Sequence, residues 1–112
     1  MKATSILRCL LRELAGVRSQ ALDCDFYIFG SILTKCNCIS DVDILVVYRD
    51  LEKLALVKKA FSLIKAHFPL EIVFMTTNEE QEFRFIETQG AQPLEDFLAA
   101  RQEMRVEPAA IV

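Results

Sequence analysis

Five consecutive apolar residues, Ile44-Leu45-Val46-Val47-Tyr48, follow directly on Asp41-Val42-Asp43. A strand that starts with polar residues and then turns apolar on both faces needs cover on both sides. That requirement fits a layered α/β arrangement with helices packed around the sheet. Side chains alternate along a strand, so Asp41, Asp43, Leu45 and Val47 share one face, and Val42, Ile44, Val46 and Tyr48 share the other. Two carboxylates are thereby fixed side by side at the edge of a buried layer.

The rest of the chain supplies that cover. Residues 4–18 carry Ile6, Leu7, Leu10, Leu11, Leu14 and Val17 at helical spacing. A short strand is expected over 25–29 and a single helical turn from Ser31 to about Lys35. The polar Lys35-Cys36-Asn37-Cys38 stretch reads as a loop before the strand at 42–48. A long helix is expected over about 50–67, striped by Leu54, Val57, Phe61, Ile64 and Phe68. Pro69 ends it. Residues 70–75 form a third strand. Thr77-Asn78-Glu79-Glu80 has the spacing of a capping box, opening a helix from about 78 to 89 that stops at Gly90. A last helix is expected over 94–104, and the tail from Arg105 carries no pattern. The expected fold is α/β (α+β), a small mixed sheet of three or four strands with flanking helices.

At 112 residues the chain is expected to be a single domain with a core of its own. Its apolar fraction of 53% exceeds what such a core consumes, which points to a partner or self-association face. No apolar run approaches a membrane span, and the first residues lack the continuous apolar segment of a signal peptide. The net charge of -3, with no dominant basic cluster, argues against a nucleic-acid footprint. Four cysteines, Cys9, Cys24, Cys36 and Cys38, read as reduced thiols in a cytoplasmic chain. Their spacing, with His67, matches no standard zinc site.

The chemistry-bearing residues converge on one rim. Gly30-Ser31 closes the first strand, and Asp41 and Asp43 open the second. If both serve one site, these strands run antiparallel. A helical crossover makes the second and third strands parallel, which brings Glu71 to the same rim as the aspartates. Strands sit about 4.8 Å apart. Three carboxylates so spaced repel by roughly 3 kcal/mol per pair at an effective dielectric near 20. A divalent cation relieves that repulsion, and an all-oxygen set suits magnesium or manganese. A Gly-Ser turn beside it lets a phosphate approach the main chain. Separately, the bland alternatives are a polar strand entry for the aspartates, an ordinary turn for Gly30-Ser31 and a solvated acid for Glu71.

The joint pattern of Phe29-Gly30-Ser31, Ser40-Asp41-Val42-Asp43 with its apolar continuation to Tyr48, and Glu71 resembles the nucleotidyltransferase superfamily of polymerase-β-like fold. Within it the chain looks like the minimal nucleotidyltransferase-domain proteins, over roughly residues 25–75. The third acid here is a glutamate where the family usually has aspartate. The resemblance implies that Gly30 and Ser31 contact a nucleoside triphosphate, with Lys35 a further phosphate-binding candidate. It implies that Asp41 and Asp43 hold Mg2+ (or Mn2+), and that Glu71 completes the catalytic and metal set. The implied activity transfers a nucleoside monophosphate, AMP from ATP, to a hydroxyl on a protein or small molecule. Small bacterial domains of this kind resemble antitoxins, whose acceptor is a tyrosine of a HEPN-type toxin. The other reading is a catalytically weak or inactive module of the same fold that acts by docking a partner.

Overall fold

The computed structural model describes residues 3–20, 23–34 and 41–100. Helix α1 (Ala3–Gln20) leads to strand β1 (Asp25–Phe29) and the short helix α2 (Ser31–Thr34). Strand β2 (Val42–Tyr48), helix α3 (Leu51–Lys65) and strand β3 (Leu70–Thr76) follow. Helices α4 (Thr77–Phe83) and α5 (Phe85–Gln89) then lead to a two-residue strand, β4 (Gln92–Pro93). Residues 94–100 form a last helix, α6. The tail beyond it, with Lys35, Cys36, Cys38 and Ser40, lies outside the described residues.

The sheet order is β3-β2-β1-β4. Strand β1 is antiparallel to β2 and to β4, and β2 is parallel to β3. The fold is thus the mixed sheet with flanking helices read from the sequence. Strand β4 has no sequence signal of its own. It pairs only Tyr27 with Pro93 and Ile28 with Gln92, and proline is tolerated there because the strand is an edge.

One face of the sheet carries the main core. Phe26, Ile28, Val42, Ile44, Val46 and Leu70 pack against Leu10, Leu14 and Val17 of α1 and against Val57, Phe61 and Ile64 of α3. Phe26 and Phe61 meet as tilted rings 6.1 Å apart. The α1 stripe is confirmed from Leu10 onward; the side chains of Ile6 and Leu7 fall outside the description. The α3 stripe buries as expected, with Phe68 packed against its edge. Asp50, rather than a residue within the periodic stretch, caps α3, its side chain accepting from the Glu52 N–H at 2.8 Å.

The opposite face is covered as well. Leu45 is fully buried and Val47 nearly so, and α4 lies against β2 and β3. The double cover expected of an apolar run without alternation is therefore present. Two local expectations need correction. The capping box sits one residue earlier than the sequence spacing proposes. Thr76 Oγ1 accepts from Glu79 N–H at 3.1 Å and Glu79 Oε1 accepts from Thr76 N–H at 2.8 Å. Because β3 runs on to Thr76, that residue already has the extended backbone a cap requires.

The second correction concerns the helix expected over 78–89, which is broken at Arg84. This residue adopts φ 51, ψ 46, the left-handed region, and separates α4 from α5. Its N–H donates to the Glu80 carbonyl at 2.7 Å, and the Glu80 carboxylate accepts from Ile86 N–H at 2.8 Å. The break turns Phe85 onto Phe29, with ring centroids 4.9 Å apart at 86°. Such edge-to-face contacts offset part of the roughly 1 kcal/mol cost of a non-glycine residue in this conformation. Gly90 ends α5 at φ 63, the capping role its position suggested.

Candidate functional site

The rim is built where β1 ends and β2 begins. Gly30 leaves β1 at φ 87, a conformation that disfavours any side chain. Its carbonyl accepts from Leu33 N–H at 3.1 Å and starts α2, so Ser31 occupies the first position of a helical turn. Across the ladder, Phe29 stands opposite Asp43. Here Gly30 meets the carboxylate itself. A Cβ on Gly30 would lie 3.1 Å from Asp43 Cγ and would overlap Asp43 Oδ2. Only a residue without a side chain leaves this carboxylate its place.

On the other side of β2, Asp43 pairs in parallel register with Glu71. Residues in register present their side chains to the same face. Asp41 is one alternation earlier, just before β2 begins. The three acids are thus on one rim and one face, with the Gly30 bend beside them. Their mutual influence shows in the Asp43 carboxyl. Burial pushes it above the ordinary carboxylate range, and the charges of Asp41 and Glu71 add to the rise.

The three differ in accessibility. Asp41 and Asp43 are half-buried, and Glu71 is exposed. Among the described residues no three His, Cys, Asp or Glu side chains are close enough together to hold one ion. The aspartate pair has the hard oxygen donors that suit magnesium, and the Asp43 carboxylate occupies the space that Gly30 leaves for it. Glu71 would have to swing inward to join them. Ser31 lies at the bend, half-buried, and Lys35 lies outside the described residues.

Several contributors are invisible at the level of sequence spacing. Phe85 comes from far along the chain to pack on Phe29, the residue before Gly30. Tyr27, two residues earlier on the same face, has its hydroxyl pKa raised by burial and by the nearby charges of Asp25 and Glu80. At the far end of β1 and β2, Arg49 donates to the Asp25 carboxylate and to the Asp23 carbonyl, each at 2.8 Å. No local pattern announces these partners, because each pairing depends on strand register or on the break at Arg84.

Elsewhere, Cys9 is exposed and Cys24 buried, both as free thiols. Cys24 belongs to the core cluster, and burial, followed by Asp23 and Asp25, raises its pKa. No helix among the described residues is long and apolar enough to cross a membrane. In comparisons with family models, curated proteins and solved structures, the chain matches none of them.

Proposed function

We propose that this chain is a magnesium-dependent nucleotidyltransferase domain that moves a nucleoside monophosphate, AMP from ATP, to a hydroxyl acceptor. The observation that carries this reading is the fit of Gly30 against the Asp43 carboxylate. A glycine bend and a carboxylate of the kind that binds metal are thereby neighbours, held side by side by the β1–β2 pairing. Asp41 and Asp43 are the residues that would hold the cation, and Glu71 is the third acid within reach of the rim. When bound, the cation supplies charge neutralisation for a triphosphate.

The chain's own groups do the rest. Ser31, at the start of α2 and next to the Gly30 bend, is the residue that would meet a phosphate. Leu45 and Val47, which follow Asp43 on the same face of β2, are buried. Glu71, swung inward from its exposed position, would accept a proton from an incoming hydroxyl. The acceptor class implied by the resemblance is a protein hydroxyl, such as a tyrosine of a HEPN-type partner, or a small molecule.

The decisive assay uses ATP labelled at the α-phosphate, with magnesium, the full chain and candidate acceptors. Transfer of label that is lost in Asp43→Asn supports the reading. Absence of nucleotide binding with magnesium, measured by titration calorimetry, sinks it.

A second reading is favoured by the exposed position of Glu71 and by the exposed Leu51, Leu56, Leu63 and Phe83. Here the fold binds a protein partner without turnover. Partner binding that is unchanged in Asp41→Asn and Asp43→Asn would support it over the enzyme.

A further inference from the structure

Strand β3 forms one edge of the sheet. Its hydrogen-bonding phase follows from the Val42 N–H, which donates to the Pro69 carbonyl at 3.0 Å. In a parallel ladder alternate residues turn both main-chain groups toward the same neighbour. Glu71, Val73 and Met75 therefore bond to β2, and Ile72 and Phe74 direct their N–H and C=O outward. Thr76, in the same phase, confirms this: its N–H is taken by the Glu79 side chain. Among the described residues no strand lies beyond Ile72 and Phe74.

Apart from the exposed Glu71 this edge carries no charge, and it is not blunted by a proline or a lysine within the strand, two of the usual protections. Beside it opens a cleft of about 420 Å³ between β3 and α3. Phe61, Ile72 and Phe74 line its apolar part, and Lys58, Ser62 and Lys65 its α3 wall. Lys58 Nζ lies 5.3 Å from the centre of the Phe74 ring. Glu52 is the only acid in α3, so nothing on that helix neutralises the lysines near the cleft.

We propose that the β3 edge and this cleft together bind an extended acidic segment of a partner protein, which adds as a fifth strand. The open N–H and C=O groups of Ile72 and Phe74 supply the backbone pairing, as in other strand-addition interfaces. Side chains on the α3 side of the added strand alternate. One apolar residue fills the cleft over Phe61, Ile72 and Phe74, and acids two positions before and after it meet Lys58 and Lys65. The spacing agrees: two helical turns separate the lysines by about 10 Å, and four strand residues span about 13 Å.

A second copy of this chain is the competing occupant, and charge argues against it. Two-fold pairing of β3 with itself would face the Lys58 and Lys65 walls of the two copies across the seam. Four cations would meet with no acid between them. An acidic strand converts the same rim from repulsive to attractive.

The test uses the full chain and a short fluorescent peptide in which two glutamates flank a leucine at every second position. Anisotropy should show saturable binding that weakens as salt rises. Lys58→Glu/Lys65→Glu should weaken it by about tenfold or more, with the circular dichroism spectrum unchanged. Lys65→Glu alone, at an exposed position away from the Phe74 ring, should give an intermediate loss. Two peptides N-methylated at alternate amides separate edge pairing from simple groove filling. Only the set facing β3 should lose binding. No binding, binding indifferent to charge reversal or to both N-methyl sets, or equal competition by a single-stranded oligonucleotide overturns the proposal. So does a dimer in sedimentation that the peptide cannot dissociate.

Discussion

Gly30 and Asp43 share one space: the missing side chain of the first is the room occupied by the carboxylate of the second. The relationship joins the end of β1 to the start of β2 more tightly than the ladder alone. It also makes a glycine part of the acidic rim. Gly30→Ala should be destabilising by about 1–3 kcal/mol, from the backbone strain at a positive φ and from the overlap with Asp43. The overlap can be isolated. In a double-mutant cycle with Asp43→Ala, measured by urea denaturation, the Gly30→Ala cost should fall by about 1 kcal/mol. Strictly additive costs would show that the two residues do not compete for space.

The Asp43 carboxyl is pushed up by burial first, then by Asp41 and Glu71. For a raised acid the sign is unfavourable to the ionised fold. The penalty is absent below the unfolded-state value, grows as pH rises toward the folded-state value, and is complete above it. Asp43→Asn should therefore melt at a higher temperature than the parent near neutral pH in the presence of a chelator. The gain should vanish below about pH 4, where both states are protonated. Magnesium should raise the melting temperature of the parent and leave Asp43→Asn unchanged. A parent more stable than Asp43→Asn in chelator at pH 7 would contradict the crowding of these acids.

Much of this arrangement can be read in the sequence. The run from Ile44 to Tyr48 demanded two covered faces, and the helical crossover made β2 and β3 parallel, which placed Glu71 in register with Asp43. Periodicity and register are local or short-range, so they survive in the one-dimensional pattern. What could not be read depends on contacts distant in sequence. Strand β4 is defined by the pairing of Gln92 and Pro93 with β1, and the break at Arg84 goes with the packing of Phe85 on Phe29. The rim shows the same division. Which acids share it followed from alternation, whereas the exposure of Glu71 and the fit of Gly30 against Asp43 required three dimensions.

The two apolar populations of the chain should separate under mutation. Leu45 is fully buried beneath the acidic rim, and Leu56 is 61% exposed on the outer side of α3. Leu45→Ala should cost about 2–5 kcal/mol through lost burial and a cavity. Leu56→Ala should change stability by no more than about 0.5 kcal/mol. Thermal denaturation of the two variants compares them directly. A large loss at Leu56 would mean that its side chain is covered, for instance by a second molecule, and the loss would then depend on protein concentration.

Adjacent threonines offer the sharpest contrast. Thr76 caps α4 and exchanges two hydrogen bonds with Glu79. Thr77 Oγ1 is buried and has no hydrogen-bond partner. Removing a reciprocated cap strands the Glu79 N–H, so Thr76→Ala should cost about 1 kcal/mol. Replacing an unpaired buried hydroxyl with a methyl removes a desolvation cost and keeps the shape, so Thr77→Val should be neutral or stabilising by up to about 1 kcal/mol. The spacing of the sequence alone assigns the capping role to Thr77 and Glu80 and predicts the opposite order. Chemical denaturation of Thr76→Ala and Thr77→Val therefore decides between two registers of the same motif. If Thr77→Val proves the more damaging, α4 begins one residue later and the Thr76–Glu79 box is wrong.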